Sequence, residues 1–152
     1  MISDMAHSVQ TYYQAAHQAM DDLGSYSASL HGFAWDSDEP LAIISDGTKI
    51  QSGPESISAR FAEVLSQEML AAGTPVGALS CNNSSWGEHC GTTNTQGRYS
   101  NDSADACTKA AKSSSHRFLH VEQAKDLRTP GGPLYPSMVS NAFNAVIPLA
   151  NP

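Results

Sequence analysis

Apolar side chains recur every three or four residues near the start of the chain, a spacing typical of one face of a helix. This repeat predicts a first helix over residues 5–23, with Ser3 or Asp4 as its N-cap and Gly24 at its end. The predicted apolar face comprises Val9, Tyr12, Tyr13, Ala16, Met20 and Leu23.

The same spacing returns after residue 53 and predicts a second helix. The segment GPE at residues 53–55 opens it, because proline tolerates the first helical position and glutamate favours the positive end of the helix dipole. The segment GTP at residues 73–75 stops it. The predicted apolar face comprises Ile57, Phe61, Val64, Leu65 and Met69.

Shorter apolar stretches indicate strands. Residues 33–35 and 41–44 are apolar runs, and the second run is followed by Asp46-Gly47, a strong turn signal, and then by residues 48–50. We therefore expect a β-hairpin around this turn. A further strand is predicted at residues 116–121, where HRFLHV alternates from side to side.

Neither the helical spacing of three to four residues nor the two-residue alternation of a strand is visible between residues 76 and 115. Ser, Thr, Asn and Gly dominate this stretch, and little besides Trp86, Tyr99 and the cysteines offers surface to bury. Composition alone would suggest a disordered loop. Order here would require sheet pairing, a disulfide, a metal or a neighbouring subunit.

The last part of the chain reads as an arm. We divide the chain into an α+β domain at residues 1–128 and a C-terminal segment at residues 129–152, which begins with the rigid, turn-rich sequence TPGGPLYP. The segment then becomes more apolar than an exposed end should be. We expect it to dock either on another subunit, which is the simplest case, or back across its own sheet. The residues expected to dock are Leu134, Met138, Val139, Phe143, Val146 and Ile147.

Length and charge narrow the class of protein. The 152 residues suit one domain, and the net charge of -7 disfavours nucleic acid as a partner, since no cluster of Lys and Arg is present. No apolar run is long enough to span a bilayer, and the N-terminal segment lacks the features of a signal peptide. We therefore expect a soluble, cytoplasmic protein with no membrane or nucleic-acid partner.

The sequence allows several chemical states for the three cysteines. Cys81, Cys90 and Cys107 are odd in number and form no CxxC pair, so reduced thiols are the default expectation and one disulfide is an alternative. Zinc is a further alternative, but its ligand spacing is poor, and we expect no metal. The candidate zinc ligands are Cys81, His89, Cys90, Cys107, His116 and His120.

Motifs of nucleophilic catalysis are missing from the sequence. It contains no G-x-S-x-G segment and no phosphate-binding glycine loop, and Gly131-Gly132 is too short and proline-flanked to cradle a phosphate. A hydrolase of the serine type is therefore not expected.

Three patches of the chain resemble NTF2-like proteins of the SnoaL-like type. DGTKIQSGPESISARFAEVL, residues 46–65, resembles the strand, turn and helix of that family. VQTYYQAAHQAMDDL, residues 9–23, lies where the family places its first helix, and HRFLHV resembles its last strand. Residues 76–115 depart from the family pattern, which has long alternating strands there.

The resemblance implies an α+β fold in which helices wrap a curved antiparallel sheet into a cone. It also implies a pocket in the mouth of the cone and a homodimer through the sheet. Members of the superfamily include cyclases, isomerases, dehydratases and hydrolases of small apolar molecules, and also proteins without catalysis, so the fold does not select the function.

Candidate site residues follow from this placement. Asp36 or His120 would act as a general base, and Tyr13 would stabilise an oxyanion. His17, Trp35 and Phe61 would contact the ligand. Each residue also has a structural reading: Tyr13 in the core, His17 on a helix surface and Asp36 in a turn.

The sequence is compatible with two functions. The first is a small apolar ligand-binding protein, or an isomerase, cyclase or hydratase that needs no cofactor, assembled as a homo-oligomer through its sheet or its C-terminal arm. The alternative is a noncatalytic structural or assembly subunit, of the virion or appendage type, whose polar middle and apolar tail are ordered by neighbouring subunits.

Overall fold

The fold is α+β, with one four-stranded sheet and five helices in the part of the chain that the structure, a computed structural model, describes. The described residues are 11–34, 36, 38–128 and 135–147. Within these ranges, no helix combines the length and apolar character needed to cross a bilayer. The elements are α1 (Thr11–Asp22), β1 (Ser27–Phe33), β2 (Ala42–Ser45), α2 (Ile57–Ala71), β3 (Ala78–Ser80), α3 (Thr95–Ser100), β4 (Phe118–Ala124), α4 (Lys125–Arg128) and α5 (Tyr135–Val146).

The sheet is open and mixed, with the strand order β1-β4-β2-β3. The expected antiparallel sheet is therefore wrong in part, because β1 pairs with β4 and β2 with β3 in parallel, and only β2 and β4 are antiparallel. Parallel neighbours need a long crossover connection, and α2 provides the one between β2 and β3.

The hairpin predicted around Asp46-Gly47 does not form. Residues 48–50 are not a strand, and β2 pairs instead with β4 and β3. The buried amide of Asn82 explains the difference, since its Nδ2 donates to Asp46 Oδ1 at 2.8 Å and to the carbonyl of Ile50 at 2.9 Å. A side chain thus satisfies groups that a partner strand would otherwise have paired.

Helix α1 ends near Gly24, as predicted, and this glycine has a φ of 62°. The predicted apolar face is wrong where it can be assessed: Ala16 is exposed, Met20 is 37% exposed and Leu23 is 77% exposed. His17 is buried instead, because α1 packs on the polar helix α3 rather than on the apolar core. Residues 1–10, including Val9 and the predicted caps, lie outside the described residues.

Helix α2 confirms the second predicted helix. It begins at Ile57, later than expected, because Ser56 is the N-cap and its hydroxyl accepts the backbone N–H of Ala59. Phe61, Leu65 and Met69 are fully buried in the core. The helix stops before Gly73, whose φ of 87° suits glycine.

Four of the apolar residues assigned to an arm, Met138, Val139, Phe143 and Val146, lie in α5, which packs on α2 of the same chain. The rings of Phe143 and Phe61 meet edge to face with their centroids 4.7 Å apart, and Arg60 donates to the carbonyl of Ala145. Leu134 and the TPGGPLYP residues before Tyr135 lie outside the described part. Docking on a second subunit stays a prediction.

The polar stretch at residues 76–115 is ordered by covalent and amide contacts. Cys81 and Cys90 form a disulfide, so the expectation of reduced thiols is wrong for these two residues, whereas Cys107 is a free thiol. The link joins a 3₁₀ turn that follows β3 to the segment before α3. Asn101, at the end of α3, donates to the carbonyl of Asp46 at 2.6 Å. These contacts replace the apolar core that the stretch lacks.

Candidate active site

Strands β1 and β4 place four polar side chains on one face of the sheet. The parallel register sets Ser29 beside His120 and His31 beside Glu122. Side chains alternate along a strand, so both pairs share a face, while Leu119 and Val121 turn into the apolar core. We call Ser29, His31, Asn94, His120 and Glu122 the histidine site.

The two imidazoles of this site lie against each other. Their ring centroids are 4.7 Å apart and their planes are tilted by 34°. His120 is only 3% exposed, whereas His31 and Ser29 are partly exposed. Ser29 Oγ lies 2.7 Å from His31 Nε2, a close hydrogen bond between a hydroxyl and an imidazole.

The side chain of Asn94 contacts residues of both β1 and β4. It is fully buried and is the N-cap of α3, where its Oδ1 accepts the backbone N–H of Gly97 at 3.1 Å. This contact fixes the orientation of the amide, so Nδ2 must face the histidine site. Nδ2 lies 2.9 Å from Ser29 Oγ, 3.3 Å from His31 Nε2 and 3.5 Å from His120 Nδ1.

The orientation of Asn94 assigns the protons of the site. Asn94 Nδ2 can only donate, and its shortest contact in the site is the one to Ser29 Oγ at 2.9 Å, so the hydroxyl accepts there and the lone pair of His31 Nε2 is the acceptor for the hydroxyl proton. The neutral ring of His31 then carries its own proton on Nδ1. Ser29 then donates its hydroxyl proton to His31 Nε2 and accepts from Asn94. This is the arrangement of a hydroxyl beside a general base.

Glu122 orients the second imidazole. Its Oε1 lies 3.2 Å from His120 Nε2, so this nitrogen is the donor and Nδ1 faces Asn94. Burial by itself raises the pKa of Glu122, but the hydrogen bond from His120 and the charges of His120, His31 and His89 outweigh it and lower that pKa. The carboxylate is therefore ionised and can stabilise a protonated imidazole.

The disulfide-linked segment forms a rigid wall against His120. Gly91 has a φ of 65°, and a Cβ there would lie 2.4 Å from the imidazole ring. Ser45, on β2, donates to the carbonyl of Cys90 at 2.6 Å and pins the segment to the sheet. Only glycine fits at residue 91, because both the backbone angle and the close approach exclude a side chain.

A cleft of about 400 Å³ lies beyond this wall. Within the described residues, the one group able to hold a metal ion is at this end of the wall: ligand atoms of Glu39, Glu88 and His89 lie within 4.8 Å of one another. His89 also stacks on Phe33 of β1, with ring centroids 4.9 Å apart. The cleft is lined by Asp36, Asp38, Glu39, Ser85, Trp86, Gly87 and Glu88.

Of the described residues that were predicted to form a site, only His120 lies in the histidine site, and the others lie apart from one another. Asp36 is exposed on the acidic cleft, and Phe61 is fully buried between α2 and α5. His17 is buried rather than on a surface, and its Nδ1 lies 2.7 Å from Gln96 Oε1. The side chain of Tyr13 and the whole of Trp35 lie outside the described residues.

Sequence reasoning missed the partners of His120. Ser29 and His31, like His120 and Glu122, are two residues apart, the spacing that puts both side chains of a strand on one face. Two pairs of polar residues with this spacing are a signal from which a polar face on each strand could have been predicted. Their meeting depends on the pairing of β1 with β4, which the sequence pattern does not specify.

Comparison with protein-family models, with curated proteins and with solved structures finds no match for this chain.

Proposed function

We propose that this chain is an enzyme that acts on a small molecule by general acid–base catalysis at the histidine site and needs no cofactor. The observation that carries the proposal is the 2.7 Å hydrogen bond between Ser29 Oγ and His31 Nε2, beside a second imidazole held by Glu122. In the proposed mechanism His31 is the base, and His120 with Glu122 is the second proton carrier.

The electrostatics of the site support these roles. Imidazole is the side chain that most readily gains and loses a proton near neutral pH. The negative charge of Glu122 favours the imidazolium that forms when either ring takes a proton, because Glu122 bonds His120 and pairs in register with His31. Asn94 fixes which nitrogen of His31 receives the proton.

The reaction types expected from the NTF2-like resemblance are compatible with this pair of imidazoles. Isomerisation, cyclisation and hydration each need one group that removes a proton and one that returns it. We keep a small apolar ligand, a cone-like wrapping of the sheet and a homodimer as parts of this hypothesis. The proposal itself depends only on the histidine site.

A proton-transfer reaction tests the proposal without knowledge of the natural substrate. The small apolar molecule 5-nitrobenzisoxazole opens to a coloured phenolate when a base removes one carbon-bound proton. We expect the chain to accelerate this opening, and His31→Gln to slow it by about 10²-fold, the ordinary contribution of a positioned base.

The matched control is His116→Asn. His116 is exposed and has a φ of 59°, a backbone region that asparagine tolerates, so this variant removes an imidazole without touching the site. It should react like the parent. Equal rates for the parent, His31→Gln and free imidazole would contradict the proposal and favour the noncatalytic structural or assembly subunit.

A further inference from the structure

We infer that Ser29 is a nucleophile activated by His31, and that the site takes acyl compounds, such as small esters or thioesters, as substrates. The inference rests on the proposed function, since it needs His31 as a base, and it narrows the reaction to acyl transfer. It differs from the expectation from the sequence, which did not favour a hydrolase of the serine type.

Three serines share this face of the sheet, and their surroundings differ. Ser27 is buried and its Oγ lies 3.4 Å from Ser100 Oγ, while Ser45 is fully buried and donates to a backbone carbonyl. Of the three, Ser29 is the one that is partly exposed, and it hydrogen-bonds an imidazole. A reagent from solvent can therefore reach an oxygen that already points its proton at a base.

Asn94 prepares Ser29 for attack. Its Nδ2 donates to Ser29 Oγ at 2.9 Å, so the hydroxyl cannot turn its proton toward Asn94 and directs it to His31 Nε2. The same N–H stabilises negative charge that develops on Oγ as the proton leaves. Burial of Asn94 keeps water from competing for this contact.

The proposed step is a balanced acyl transfer. Ser29 Oγ attacks the carbonyl carbon of the ester, and His31 Nε2 takes the hydroxyl proton. The bond to the leaving alcohol or thiol then breaks, and the imidazolium returns its proton to that group. Water, activated by His31, attacks the acyl-serine, so that a carboxylic acid and the free hydroxyl of Ser29 are formed.

The imidazolium intermediate is supported by the groups around His31. On β4, the ring of His120 lies against that of His31 with a centroid distance of 4.7 Å, and Glu122 pairs with His31 in register. His89, in the disulfide-linked segment, is the third titratable group close enough to act on Glu122. The ionised carboxylate offsets the cost of a second positive charge next to these imidazoles.

Labelling with an alkyl fluorophosphonate tests the inference directly. Ser29 Oγ would attack phosphorus, fluoride would leave, and His31 would take the proton, so the label stays on the serine and is located by peptide mass spectrometry. We expect a single labelled site at Ser29, no labelling of Ser29→Ala at that peptide, and at least a 10²-fold slower rate for His31→Gln. Ser27→Ala, two residues away on the same face, should be labelled like the parent.

The pH dependence gives a second readout on the unmodified chain. The labelling rate should rise as His31 loses its proton and then become constant, whereas an unactivated hydroxyl continues to react faster as hydroxide increases. A folded chain that remains unlabelled, or that carries label equally on several serines, would overturn the inference. Base-dependent opening of 5-nitrobenzisoxazole needs no nucleophile, so its persistence in such a result would leave the acid–base proposal standing.

Discussion

Asn94→Asp is the sharpest perturbation of the histidine site, because it changes the charge and leaves the helix cap in place. Aspartate caps a helix as well as asparagine does, so the bond from Gly97 N–H to the side-chain oxygen is kept. The donor that faces Ser29, His31 and His120 is replaced by a carboxylate oxygen. The substitution therefore separates the role of Asn94 in α3 from its role in the site.

The size of the effect follows from the distances. Asn94 Nδ2 lies 3.3 Å from His31 Nε2 and 3.5 Å from His120 Nδ1. Unit charges about 4 Å apart interact by about 4 kcal/mol at an effective dielectric constant near 20, and one pKa unit corresponds to about 1.4 kcal/mol. Desolvation of the new carboxylate takes part of this energy, so we expect the protonation midpoint of the two imidazoles to rise by about one to two pH units.

Ring signals of the histidines in a pH titration followed by NMR measure this rise, and His116 serves as the internal reference. Stability gives a second readout with a definite sign. An imidazole whose protonation is favoured in the folded state stabilises the fold below its unfolded value, about pH 6.5, and loses that contribution as the pH rises through the folded midpoint. Relative to the parent, the free energy of unfolding of Asn94→Asp should therefore be higher at pH 5.5 than at pH 8.5. Urea unfolding at the two pH values measures this difference.

The control is Asn83→Asp, which makes the same change at an exposed position. It should leave all ring titrations where they are in the parent. If Asn94→Asp also left the signals of His31 and His120 within about 0.3 units of the parent, well short of the expected rise, the amide would not face the imidazoles, and the proton assignment of the site would be wrong.

Three further predictions concern stability. Phe61→Ala should lower the free energy of unfolding by about 3–5 kcal/mol, because the ring is fully buried against Phe143. Leu70→Ala, on the exposed face of the same helix, should lower it by less than about 1 kcal/mol. Equal losses in urea unfolding would show that α2 is not packed as described. Glu122→Gln should flatten the acid side of the pH–stability curve. The lowered pKa of Glu122 contributes stability above about pH 4.3 that is lost as the pH falls through the folded value, and a variant with the slope of the parent would contradict this. Tyr135→Phe should leave the free energy of unfolding unchanged or raise it by up to about 1 kcal/mol. The reason is that the Tyr135 hydroxyl is buried, which raises its pKa, and has no hydrogen-bond partner among the described residues. A loss above about 1 kcal/mol in the same assay would reveal a hydrogen bond at this hydroxyl.

The parts of the fold that the sequence predicts are those encoded by neighbouring residues. The stripe of Phe61, Leu65 and Met69 has the period of a helix, and Gly73 marks its end, so α2 follows from local spacing. Residues 118–121 of β4 follow from their alternation in the same way. Local signals fail at Asp46-Gly47, where Asn82, distant in sequence, replaces the expected partner strand.

The candidate site is only partly predictable for the same reason. His120 was found because it lies in a strand that the pattern reveals. Its partners come from other elements: Ser29 and His31 through the parallel register with β1, and Asn94 through the cap of α3. No repeat in the polar segment before Asn94 reveals this cap, since its order comes from a disulfide and from side-chain amides.

The most direct test of the account is the tautomer of His31 in the neutral ring. Two-bond proton–nitrogen NMR correlations distinguish a ring protonated on Nδ1 from one protonated on Nε2. We predict the proton on Nδ1 of His31, with Nε2 accepting the hydroxyl of Ser29, and the proton on Nε2 of His120, bonded to Glu122. A neutral His31 protonated on Nε2 would donate to Ser29 instead of activating it, and would contradict both the acid–base site and the nucleophile.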